Sequence, residues 1–68
     1  MDAVDPDRYH LTVTTRGRAA VQGWWGSETV ARGKFTTWIG EYGNLPDPRV
    51  TLVDEETGRV LTSWPDEP

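Results

Sequence analysis

The chain predicts a small α+β domain in the order ββαββ: a four-stranded sheet with one helix on one face. Three observations support this. Residues 9–15, 18–25, 49–54 and 59–64 are rich in β-branched or alternating apolar residues and are joined in pairs by glycine-bearing turns. Residues 28–42 instead repeat their apolar groups at a helical period, behind a serine suited to capping. The whole chain is 68 residues without cysteine, which sets a single domain with neither disulfide staples nor thiolate metal ligands.

In YHLTVTT (9–15), Tyr9, Leu11 and Val13 share one face and His10, Thr12 and Thr14 the other. Arg16-Gly17 turns the chain, because glycine takes positive φ freely, and RAAVQGWW (18–25) returns as the second strand of a hairpin. On that return Ala19, Val21, Gly23 and Trp25 alternate with Ala20, Gln22 and Trp24, and Gly23 marks a candidate bulge. Two adjacent tryptophans cannot face one core. Trp24 is assigned outward and Trp25 inward.

Ser27 is the expected N-cap, with Glu28 in the first turn. Along 28–42, Ala31, Phe35, Trp38, Ile39 and Tyr42 fall within one arc, with Val30 at its margin, and Gly43 stands at the C′ position. Thr29, Gly33, Thr36 and Gly40 form a small-residue strip on the outward side. Gly33, Gly40 and Thr36-Thr37 oppose a helix, so the rival is a hairpin turning at Arg32-Gly33 inside a small all-β barrel. NLPDP (44–48) connects to strand 49–54. EETG (55–58) turns with Gly58 left-handed, and RVLTSW (59–64) pairs back until Pro65 ends the ladder. With Asp54 opposite Arg59 and Leu52 opposite Leu61, Val50, Leu52 and Leu61 face the core, and Val53, Val60 and Trp64 face away. Residues 1–8 and 65–68, rich in Asp and Pro, are expected to be loose ends around a 9–64 domain.

In topology and length, residues 9–64 resemble the β-grasp architecture of small immunoglobulin-binding and ubiquitin-like domains. The resemblance implies a central parallel pairing of the first and last strands. No sequence motif accompanies it, so it implies no function and no site residues.

Composition narrows the function classes. Net charge is −4, with residues 16–49 at +2 between acidic flanks, which counts against nonspecific nucleic-acid binding. No apolar run approaches the roughly 20 residues of a membrane span, and MDAVDPDR lacks signal-peptide features, so a cytoplasmic location is expected. His10 is the only histidine and reads as a surface residue. Asp2, Asp5 and Asp7 lack the rest of a calcium loop. Asp54, Glu55 and Glu56 read as solvated turn carboxylates with no pocket to raise a pKa, and Ser27 and Ser63 have no His–carboxylate relay. No catalytic residue, metal site or cofactor is expected.

The lead is aromatic: four tryptophans in 68 residues are more than one small core uses. Trp24 and Trp64, with Val53 and Val60, are expected on an uncovered sheet face that contacts a protein partner or a second copy of the chain. The alternative is single-stranded nucleic acid held by Arg16 and Arg18 with stacking on tryptophan.

Overall fold

The computed structural model describes residues 8–65, so the end segments 1–7 and 66–68 lie outside the described residues. The elements run β1 (Tyr9–Thr15), β2 (Arg18–Trp25), α1 (Glu28–Tyr42), β3 (Pro48–Asp54) and β4 (Arg59–Trp64). One open sheet carries the strands in the order β2-β1-β3-β4, every pair antiparallel, with α1 packed on one face, mainly over β1 and β3. The α+β class and the ββαββ order are as expected. The barrel is excluded by the free edges at β2 and β4, and the 28–42 hairpin by an unbroken helix.

The β-grasp connectivity is corrected. The centre of the sheet pairs β1 with β3 antiparallel, from Tyr9 opposite Asp54 to Thr15 opposite Pro48, and no parallel β1–β4 pair forms. Both arrangements bury the same apolar faces, so face patterning alone does not choose between them.

The core is where those faces meet α1. Leu11, Val13, Val50, Leu52 and Ala31 are fully buried, and Tyr9 nearly so. Phe35, Trp38, Ile39 and Tyr42 pack around them from the helix. Trp38 is edge-on to both Trp25 and Tyr42, with centroids 5.7 and 5.8 Å apart, the geometry ring quadrupoles favour. Ser27 caps the helix by accepting the Val30 N–H at 3.3 Å, and Glu28 pairs with Arg32 one turn on at 2.7 Å. Thr29, Gly33, Thr36 and Gly40 are exposed together.

Each hairpin contains one register shift. The β1–β2 turn places Arg16 and Gly17 at φ 54° and 80°, the positive values a two-residue type I′ turn requires. Thr15 then faces Arg18, but Val13 faces Val21, so Ala20 is an extra residue. In the second hairpin Asp54 faces Arg59 and Val53 faces Val60, but Leu52 faces Thr62, so Leu61 is the extra residue. The expected Leu52–Leu61 pair is therefore corrected.

The bulge assigned to Gly23 is corrected too. Gly23 lies beneath Trp25, where an added Cβ would come within 2.5 Å of the indole. Gly43 ends the helix in a right-handed conformation, φ −66°, rather than a left-handed one. Its lack of a side chain leaves room for the Ile39 carbonyl and the Trp64 ring, 3.2 Å from where a Cβ would stand.

Candidate functional site

The register shifts decide which side chains reach the face opposite α1. Directly paired residues share a face. One row across the sheet reads Trp24, His10, Val53, Val60, and the next reads Gln22, Thr12, Thr51, Ser63. Without the extra Ala20, counting back from the turn would set Trp24 opposite Tyr9, on the core side. With it, Trp24 stands opposite His10 on the open face and Trp25 opposite Tyr9 in the core.

Trp64 is the opposite case and a correction. Without the extra Leu61 it would face Arg49 on the open side. With the bulge it faces Val50 and packs against the core, touching the helix end at Gly43. The structure thus brings Trp24, Val53 and Val60 onto one face and removes Trp64 from it. Trp24 and Val60 are 46% and 57% exposed, the two most exposed large apolar groups of the sheet, and Val53 is half-buried between His10 and Val60 in the same row.

His10, read from sequence as an ordinary surface residue, organises this face. Its ring stacks on Trp24 at 4.4 Å and 6°. Nδ1 lies 3.0 Å from Glu55 Oε2, and Nε2 lies 2.8 Å from the Gln22 amide and 3.2 Å from the Thr12 hydroxyl. Both ring nitrogens are engaged, and the ring stacks on Trp24 in turn. The alternation placed His10 on this face, but the partners Glu55 and Gln22 come from other strands and turns.

A second polar cluster closes the end of the sheet beside His10. Arg8, assigned from sequence to the loose N-terminal segment, grips Asp54 with two parallel bonds of 2.9 Å and reaches Glu56 at 3.0 Å. Its guanidinium lies 5.1 Å from the centre of the Tyr9 ring. Asp54 is buried, not a solvated turn residue as expected, and it also accepts the Glu56 N–H. The Arg8 bonds hold its carboxyl below the usual carboxylate range despite the opposing cost of burial, and the carboxylate raises Arg8 in return.

Thr12, His10 and Glu55 line up as hydroxyl, imidazole and carboxylate, the order of a nucleophilic relay. Gln22, however, sits closer to Nε2, at 2.8 Å, than Thr12 does, at 3.2 Å. The arrangement fastens Trp24. Arg16 and Arg18 lie at the other end of β1–β2, six strand residues or about 20 Å from Trp24 at ~3.3 Å per residue. The two arginines and the exposed indole do not form one surface. Among the described residues no group of three or more His, Asp or Glu side chains could hold a metal, and no helix is long and apolar enough to cross a membrane.

Compared with models of protein families, with characterised proteins and with solved structures, the chain shows no significant match.

Proposed function

We propose that the protein is a noncatalytic binding module of the cytoplasm that uses the open sheet face, centred on Trp24 with Val53 and Val60, to contact another protein or a second copy of itself. One observation carries the reading. Trp24 is nearly half exposed yet fixed in orientation by His10, itself tied to Glu55, Gln22 and Thr12. An exposed tryptophan that is already ordered loses little side-chain freedom on binding, which is what an interface anchor needs. Val60 and Val53 extend the apolar surface along the same row.

Sedimentation velocity of the chain, with and without a captured partner, tests this against Trp24→Ala and Val60→Asp. Loss of self-association or of partner binding, with far-UV circular dichroism unchanged, is the supporting outcome. A complex that survives both substitutions overturns the reading, and so does unfolding by Trp24→Ala, which would make the ring part of the core.

The nucleic-acid alternative draws no support from the placement of Arg16 and Arg18 away from Trp24. It predicts low-salt binding of single strands that weakens in Arg16→Ala and Arg18→Ala.

A further inference from the structure

The two arginines left over from the open face belong to a different feature. Thr15, Arg16, Arg18, Leu45 and Pro46 line an open cleft of about 560 Å³, within the ~300–1,000 Å³ typical of small-molecule sites. It is built by the β1–β2 turn on one side and the connector after α1 on the other. The connector is tied down: the Thr15 hydroxyl donates to the Pro46 carbonyl, the Arg16 N–H to the Asp47 carbonyl at 3.2 Å, and the Leu45 N–H to the Tyr42 carbonyl at 3.1 Å. The cleft therefore exists before any ligand enters.

Its chemistry is two-sided. Leu45 and Pro46 supply an apolar wall, and Arg16 and Arg18 supply two guanidinium groups. Arg8 and Arg32 satisfy carboxylates of this chain, whereas neither Arg16 nor Arg18 has a side-chain partner among the described residues. Arg16 also occupies the first central position of a type I′ turn at φ 54°, where Asn, Asp or Gly is the usual choice. Among the described residues no ion pair of Arg16 offsets that unfavourable backbone. Planar guanidinium forks match carboxylate and phosphate oxygens.

We propose that this cleft binds a small organic anion, a carboxylate or phosphate ester on an apolar body, with Arg16 and Arg18 on the anionic group and Leu45 and Pro46 against the rest. The site is independent of the Trp24 face and stands whether or not that face binds a protein.

The test titrates 1-naphthoate, 1-naphthyl phosphate and the neutral 1-naphthamide into the full chain, followed by ¹H–¹⁵N and methyl NMR. The expected result is a set of shifts centred on Thr15, Arg18 and Leu45, weakened by added salt and absent with the amide. Arg18→Gln and Arg16→Gly, a change the positive φ accommodates, should each lower the affinity about fivefold or more. The preferred anion identifies the headgroup. The proposal is overturned if neither anion moves these resonances, if the amide binds equally well, or if both variants bind as the parent does.

Discussion

The two hairpins are built alike and treat their tryptophans in opposite ways. Each has a tight turn and a single extra residue: Ala20 in β2 and Leu61 in β4. In the first hairpin the extra residue carries Trp24 out of the core and Trp25 into it. In the second it carries Trp64 from the open face to Val50. A side chain's face depends on the parity of its distance from the turn, and one bulge inverts that parity for everything beyond it. The lesson is that exposed aromatic surface in a small sheet is set by where bulges fall as much as by where aromatics fall.

The largest effect that would sharpen this contrast is Trp64→Ala. Removing a ring packed between Val50 and the helix end should cost about 3 kcal/mol in urea unfolding, against under about 1 kcal/mol for Trp24→Ala. Equal costs would erase the distinction between the two rings. Next comes Gly23→Ala, which puts a methyl into the Trp25 indole and should cost about 1–3 kcal/mol. Gly40→Ala, with nothing near its Cβ, should instead stabilise by roughly 1 kcal/mol. A gain at Gly23 matching that at Gly40 would mean that Trp25 does not lie over β2.

Acid distinguishes the ends of the hairpins rather than their faces. Asp54 has a folded-state pKa below its unfolded one, so its contribution is complete at neutral pH and above the unfolded value. It is lost as pH falls through the folded value, below the ordinary carboxylate range near ~3.9. Asp54→Asn should lower stability at pH 7 and flatten its decline in acid, measured by thermal melts between pH 7 and 2. An unchanged acid limb would show that the Arg8 clamp contributes nothing to the fold.

Much of this was legible in the sequence where the determinants are local. The alternation of 9–15, the Ser27 cap, and the helical spacing of Ala31, Phe35, Trp38 and Ile39 read directly as the elements found. Trp24 also reads correctly as outward, although only a bulge absent from that reading puts it there. What escaped depends on contacts far apart in the chain. Ala20 and Leu61 carry no mark of a bulge, while Gly23, which looks like one, serves a neighbouring ring. His10 is tied to Glu55, 45 positions away, and Arg8 to Asp54, 46 away, so neither role is visible in a local window.

The central β1–β3 ladder has a consequence for the order of events in folding. Either hairpin can zip from its own turn, but their union joins residues 33 apart at Thr15–Pro48 and 45 apart at Tyr9–Asp54, and must await closure of the loop that contains the helix. The Arg8–Asp54 clamp, at the far end of that ladder, belongs to the last step. Its loss should leave the refolding rate nearly unchanged and speed unfolding, so the clamp acts as a latch on a sheet that has already formed.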